Sequence, residues 1–385
     1  MSELVHQWAY LPKELVENIA ERLKSPIDIL RLRAVCTLWR SSATLPSFDE
    51  PIPRLILNLP VPLHADSTLS KTSIGRIELT NRNPNSSSQQ TKGWLTEIRQ
   101  TKTGKLQLLH PISGTQIRYS SIPLISSSDL HFVQLYEAFK LELANPDRIP
   151  LFGVHKVVPF PNDVALLAIF VPGGKLGYWK YEDKNWKFLD HNNIDYDDII
   201  EFKGQVYVVN RFGTIFWVNP LSLSLIQYSP VLVNGGGGRK SLVESCGDLY
   251  LVDRYLDRKR NNNFEDFLIR FRNSSPLGRT RRKNRPKAID FKVYKLDEEI
   301  GRWLDVKCLG DKIFVLNMDC SFSISSSEFV GGKGNCIYFS DDDEVGLIGD
   351  LVGVRVFLME DGSIKKVKLF PEYSKIFLSP NIGLQ

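Results

Sequence analysis

A mainly β chain, with three short helices at its start and a β-propeller over the rest, is what this sequence predicts. Three observations predict it. Helical apolar stripes are concentrated in the first 45 residues. Beyond them, short apolar runs follow glycine in a recurring Gly-x-x-Tyr pattern. Those units recur about every 40–45 residues with several strands each, the signature of propeller blades. A length of 385 residues exceeds one ordinary small domain and suits a large repetitive domain with an appendage.

The helical head comes first, over residues 1–45. From Pro12 to Leu23, the residues Leu15, Val16, Ile19, Ala20 and Leu23 fall on one helical stripe, with charged residues on the rest. Pro12 suits a first turn, where its missing N–H costs nothing. Ser25-Pro26-Ile27-Asp28 restarts a helix, with Ser25 as cap and Asp28 near the positive end of its dipole. Leu32, Val35, Cys36 and Trp39 make the next stripe. Three such helices cannot bury much core alone, so the module needs another surface to pack on.

The spacing of these residues resembles an F-box. Leu11-Pro12-x-Glu14-Leu15-Val16-x-x-Ile19, then Leu23, then Asp28 to Arg33 and Val35-Cys36-x-x-Trp39-Arg40 follow that pattern over about 35 positions. The resemblance implies docking on a Skp-type adaptor through Leu11, Pro12, Leu15, Ile19, Leu30, Val35 and Trp39.

Five prolines between Pro46 and Pro62 break the helical pattern, leaving a linker over 46–62 that includes a candidate first strand at Arg54 to Leu59. Residues 81–92 are polar and read as a loop. The propeller is expected over 63–380. Trp94 to Ile117 and Ala165 to Leu189 hold its early strands, and Leu130 to Leu143 reads as one modest helix. Gly204 to Tyr207, Gly247 to Tyr250, Gly310 to Phe314 and Gly334 to Tyr338 are turn-plus-strand units, with Tyr207, Tyr250, Phe314 and Tyr338 expected at equivalent places near blade interfaces. Six blades are favoured, with seven as the alternative. One blade is expected to combine strands from both ends of the chain, with Ile376 to Leu378 supplying the C-terminal part.

With this second half included, the chain is similar to a large plant group of F-box proteins whose C-terminal half is a KIB-type β-propeller. Phe322 to Phe329 and Lys333 to Phe339 match its most characteristic segment, and Asp341 to Glu344 continue it. The group resemblance implies a substrate-recognition subunit of an SCF-type ubiquitin ligase. The F-box would reach cullin through the adaptor, and the propeller would hold an unidentified client protein. No catalytic residue, metal or other cofactor is implied, and the expected location is nucleus, cytoplasm or both.

Composition agrees with a globular chain: 42% hydrophobic and 24% charged. The net charge of +5 is local. Between Arg258 and Lys287 stand 11 Lys and Arg against Glu265 and Asp266, a net +9 that leaves −4 for the rest. This basic insertion, with Arg279, Arg281, Arg282, Lys283, Arg285 and Lys287 at its densest, is a candidate import signal or contact for an acidic partner. Within this insertion aromatics are absent after Phe271, which argues against binding single-stranded nucleic acid. No apolar run reaches a membrane span, and no secretory signal opens the chain.

Other motifs are weaker. The five cysteines are widely spaced, and reduced thiols buried in strands and helices are expected. Six scattered histidines lack metal-ligand spacing. Asn234 to Ser241 suggests a phosphate loop, but Arg239 stands where glycine is required and no helical stripe follows. A flexible inter-blade loop fits better. Asp341 to Gly346 lacks two oxygen ligands of a calcium loop. Two other functions stay open: an enzyme using the propeller channel, which would need acidic or His residues converging there, a recurrence the sequence does not show, and a basic nucleic-acid-binding factor.

Overall fold

The computed structural model describes residues 11–22, 32, 35–42, 55–58, 64–79, 92–100, 106–117, 130–143, 153–160, 165–171, 173–180, 183, 186–189, 194–258, 286–317, 319–340 and 353–377. Two helices open it, α1 (Lys13–Arg22) and α2 (Thr37–Ser42). Pro12 stands just ahead of α1, and its carbonyl accepts the amides of Leu15 at 3.0 Å and Val16 at 3.2 Å. Val16 and Ala20, one turn apart, bury against Leu32 and Trp39. Leu30 and the restart at Ser25 lie outside the described residues.

The strands run in chain order as β1 (Leu55–Asn58), β2 (His64–Leu79), β3 (Trp94–Gln100), β4 (Leu106–Leu109), β5 (Leu130–Leu143), β6 (Gly153–Pro159), β7 (Ala165–Val171), β8 (Lys175–Lys180) and β9 (Lys187–Phe188). They form a nine-stranded sheet in the order β4-β3-β2-β5-β6-β7-β8-β9, with β1 on β2. Its two halves meet at the pairing of Phe139 in β5 with Val157 in β6. Next come β10 (Tyr196–Phe202), β11 (Gln205–Asn210), β12 (Ile215–Val218) and β13 (Leu225–Gln227), a four-stranded meander. A second meander holds β14 (Arg239–Ser245), β15 (Asp248–Leu256), β16 (Ala288–Asp297) and β17 (Arg302–Val306). The last sheet, in the order β19-β18-β20-β21-β22, uses β18 (Lys312–Leu316), β19 (Ser321–Ser325), β20 (Cys336–Ser340), β21 (Val354–Leu358) and β22 (Ile364–Lys366). A short helix, α3 (Pro371–Ser374), follows.

This is the mainly β propeller expected, with three differences. Leu130–Leu143 is a strand, not a helix. It pairs with β2 from Ser67–Leu143 to Leu79–Leu130, with a register shift between Ile74 and Gly75. A Cβ at Gly75 would clash with the Val133 carbonyl, so the two strands approach there as only glycine permits. The apolar spacing of 130–143 suits either period, and a long partner strand decides it.

Second, five blade-sized units are seen among the described residues rather than six. The Gly310 and Gly334 units count as two in the sequence, yet their strands β18 and β20 lie side by side and parallel in one sheet, Phe314 opposite Ile337.

Third, Phe314 is not equivalent to the tyrosines. The third residue after Gly204, Gly247 and Gly310 faces the following unit: Tyr207 joins the cluster with Leu242 and Leu251, and Tyr250 joins that with Phe339. Ile313 holds this place in the last sheet. Phe314, one residue on, faces back and meets the Tyr250 ring edge-on at 5.4 Å. Tyr338 does face onward, toward the first sheet.

The ring closes through that cluster, where Ile74, Leu95 and Ala138 of the first sheet pack with Val315, Phe322, Tyr338 and Val356 of the last. Two backbone seams reinforce it. The Gly93 amide donates to the Glu328 carbonyl and the Val330 amide to that of Gly93, at 3.2 and 2.9 Å. The Leu95 amide donates to the Ile376 carbonyl at 2.8 Å, and Phe377 stacks near the buried His110 at 4.5 Å between rings. The expected C-terminal contribution therefore reaches β3, whereas β1 pairs only with β2 among the described strands.

Candidate functional site

Three places on the chain can carry function. The first is the helical module. Its interior is filled by Val16, Ala20, Leu32 and Trp39, so Trp39 belongs to the module's own core and not to the docking face expected of it. Leu11 and Ile19 are half-buried at the edge of that core, and Pro12 is exposed. Leu15 and Val35 are 48% and 55% exposed, joined by Leu38, which sequence reasoning missed. Its signal was present: Leu38 directly precedes the motif tryptophan, and neighbouring positions on a helix point to different faces.

The second is the basic insertion. Residues 259–285, with Arg279, Arg281, Arg282, Lys283 and Arg285, lie outside the described set, but its root is well defined. Strands β15 and β16 pair up to Leu256 and Ala288. Beyond them the Asp257 amide donates to the Lys287 carbonyl at 2.9 Å, and the Lys287 amide donates to Asp257 Oδ1 at 2.8 Å. The insertion thus springs from one hairpin of the fourth unit, in place of a tight turn.

The third is the axis. Inner strands β5, β6, β10, β14 and β19 pack in succession. Tyr136 of β5 closes the circuit by donating its hydroxyl to the Ser323 carbonyl of β19 at 2.6 Å. Adjacent carboxylates on β10 staple this ring. Asp198 takes the Lys156 ammonium at 2.7 Å and the Leu242 amide at 2.8 Å, while Asp197 takes the Lys240 amide at 2.9 Å. Lys240 turns to Asp253 at 2.7 Å, both side chains wholly buried. Such pairs set register more surely than they add stability.

At one end of the axis a cavity of about 720 Å3 opens among these strands. Glu137, Glu201, Glu244 and Asp319 line it with Lys71, Lys156, Lys203 and Tyr136. The ammoniums are engaged: Lys71 with Glu137 at 2.8 Å, Lys203 with Glu298 at 2.9 Å, and Lys156 with Asp198. Burial pushes the Tyr136 phenol up to about 12, helped by the Glu244 charge. Nearby Glu97 is raised to about 7 by burial, against the attraction of Arg99.

Carboxylates therefore do converge on the axis, contrary to the sequence reading. Their signal is a repeat: Glu201-Phe202-Lys203-Gly204 and Glu244-Ser245-Cys246-Gly247. Both end in hairpin turns with two successive positive φ angles, at Lys203 and Gly204 and at Cys246 and Gly247. Each glutamate thus lands at the same place in successive units. Among the described residues no group of three or more His, Cys, Asp or Glu is placed to hold a metal.

The remaining motifs resolve simply. The segment from Asn234 runs into strand β14, not a helix, and it is pinned rather than flexible. Lys240 donates to the carbonyls of Gly235 and Gly237 at 3.3 and 2.8 Å, and the Gly237 amide donates to Asp253. Cys246 and Cys308 are exposed, not buried: Cys246 falls in a turn and Cys308 in the connection after β17. His110 is buried, and burial alone lowers its pKa to about 3. Residues 341–352, with the acidic run, lie outside the described set. Among the described residues, no helix is long and apolar enough to cross a membrane.

Comparison with known proteins bears on the whole chain. A family model described as KIB1-4 beta-propeller matches residues 63–363, and one described as F-box-like matches residues 8–48. A putative F-box protein of Arabidopsis thaliana is 30% identical over 374 residues, covering 92% of each chain. The Arabidopsis F-box protein SKIP23 is 29% identical over 400 residues, covering 97% of this chain and 94% of that one. Among solved structures, a periplasmic gluconolactonase of Pseudomonas aeruginosa aligns at 13% identity with a TM-score of 0.30, over 80% of this chain and 82% of that one.

Proposed function

Because the chain belongs to the KIB1-4 β-propeller family and carries an F-box-like module ahead of that domain, we propose that it is the substrate-recognition subunit of an SCF-type ubiquitin ligase. The F-box, over 1–45, docks on a Skp-type adaptor and through it on cullin. Residues 46–62 link it to a propeller over 63–380 that holds the client. The chain itself is non-catalytic on this reading. It acts by proximity, raising the effective concentration of client lysines near the charged thioester. Its place of work is the nucleus, the cytoplasm or both.

One observation carries the docking half. Among the described residues Val16, Ala20, Leu32 and Trp39 already form an interior, yet Leu15, Val35 and Leu38 remain on the outside. Three large apolar side chains on so small a unit suit a surface that a partner covers. Replacing Leu15 and Val35 together with Asp is expected to abolish co-purification of a Skp-type adaptor while the thermal midpoint holds. The pair Leu11→Ala with Pro12→Ala is expected to do the same. Unchanged adaptor recovery in both variants would overturn the docking model.

A further inference from the structure

The cavity at the end of the axis holds more acceptors than the fold itself uses. Of the ammoniums on its wall, Lys71 is taken by Glu137, Lys156 by Asp198 and Lys203 by Glu298. Lys140, just outside, lies 3.8 Å from Asp319. Each cation therefore has its carboxylate, and two wall carboxylates remain. Among the described residues Glu201 is exposed and meets no partner. Glu244, half-buried, accepts the Gly247 amide of its own turn at 2.8 Å but pairs with no cation there.

A second observation comes from β19. Ser321 lines the cavity and is only 9% exposed, yet its hydroxyl has no hydrogen-bond partner among the described residues. Strand alternation sets it there. Phe322 and Ile324 turn into the core at the ring closure, so Ser321 and Ser323 take the other face, where Ser323 Oγ meets Ser245 Oγ at 2.8 Å. A hydroxyl placed so deep is ordinarily satisfied. Beside these acceptors Leu135, Phe139 and Val158, each half-buried, give the cavity an apolar wall.

These features select one kind of occupant. An anion finds every lining ammonium already engaged. An apolar group would leave Glu201, Glu244 and Ser321 without partners. A bare metal ion lacks ligands, since among the described residues no three His, Cys, Asp or Glu are placed to hold one. What fits is an organic cation that only donates hydrogen bonds and carries an apolar stem. A guanidinium has five N–H donors and no acceptor, and two carboxylates repeated in successive units suit its planar fork better than a point charge. We infer that the axial cavity seats an arginine side chain of the client, its head toward Glu201, Glu244 and Ser321 and its stem along Leu135, Phe139 and Val158. The inference rests on the receptor reading above and names what the receptor reads. At about 720 Å3 the cavity lies in the range of ligand clefts, about 300–1,000 Å3, with room for residues flanking the arginine.

The test uses the full chain with its adaptor and three labelled short peptides, read by fluorescence anisotropy. One carries a single arginine among neutral residues, one has citrulline in its place (the same shape without the charge), and one has glutamate. The arginine peptide is expected to bind at least about tenfold tighter than either of the others. Glu201→Gln with Glu244→Gln should erase that advantage at an unchanged thermal midpoint. Ser321→Ala should weaken the arginine peptide about fivefold. Glu360→Gln, which removes an exposed carboxylate in the β21–β22 turn, should change nothing. Equal or absent binding of the arginine and citrulline peptides would overturn the inference. So would an arginine preference that survives the double glutamine change. Spermidine or free arginine amide binding as tightly as the peptide would also overturn it, making the cavity a small-molecule site. Adaptor recovery from the same samples separates the two readings. Peptide binding lost with the adaptor retained is failure of the cavity, and the reverse is failure of the receptor reading.

Discussion

Phe314 lies between the fourth and fifth units with 1% of its surface exposed, its ring edge against Tyr250. Phe314→Ala is expected to cost about 3–5 kcal/mol, a large side chain lost from a packed seam. Denaturant unfolding measures it, and a loss below about 1 kcal/mol would contradict the packing described. Glu97 makes a different prediction. Its folded pKa, about 7 against an ordinary 4.5, means the folded state keeps a proton that the unfolded chain has released. That contribution is present at low pH and lost as pH rises from about 4.5 through 7. Glu97→Gln should therefore gain on the parent protein steadily across that window, in thermal midpoints taken at pH 5 and pH 7.5. His110 runs the other way, losing stability as pH falls below its ordinary value, but it is common to both proteins and cancels in the difference. Neither burial was legible in the sequence. Glu97 sits in an otherwise alternating strand, and its environment comes from Asp319 and Lys140, far along the chain.

At the level of elements, the β15–β16 hairpin is closed by its own backbone at Asp257 and Lys287 before the insertion begins. Deleting Arg279 to Pro286 would leave that closure in place, and even removal through Lys287 shortens a loop already long enough for closure to cost little more or less. The thermal midpoint is expected to move by no more than about 2 °C, which differential scanning calorimetry would record. A larger drop would mean that the insertion packs on the propeller. Should the segment also serve nuclear import, the same deletion will move a fluorescent fusion from nucleus to cytoplasm. Turn-plus-strand units were the most legible elements. Glycine at a positive φ followed by an apolar run marks Gly204, Gly247 and Gly310 in the sequence as it does in the structure. Leu130–Leu143 was not legible, since its identity as a strand depends on β2, some sixty residues earlier and itself rich in Ser and Thr. The Glu-x-x-Gly repeat is legible too, since Glu201 and Glu244 stand at the same spacing before Gly204 and Gly247.

For the molecule, the decisive contacts join its two ends. Leu95 and Ile376 share a backbone hydrogen bond, and Phe377 fills a gap beside His110 and Tyr338. A chain ending at Lys375 loses both buried residues, leaving the first and last sheets with exposed apolar faces and an unpaired edge. That shortened protein is expected to aggregate on expression. A soluble product with an unchanged midpoint would show that Ile376 and Phe377 do not hold the ring. Ring architecture was legible from the period of the glycine units; the number of units was not. One sheet uses β18 and β20 as parallel neighbours, and two look-alike stretches in a linear sequence carry no mark that they share a sheet.

The seam at Gly93 to Leu95 also sets an order in time. Its partners are Glu328, Val330 and Ile376, so a ribosome must make nearly all of the chain before β3 can be completed. The middle meanders, whose strands pair with near neighbours, can form while synthesis continues. The ladders of the first sheet lie within residues 55–188 and can form early, but its edge at Gly93 to Leu95 stays open until the late segments emerge. A nascent chain of this kind depends on whatever shields that edge, and slowing synthesis would lengthen its exposure.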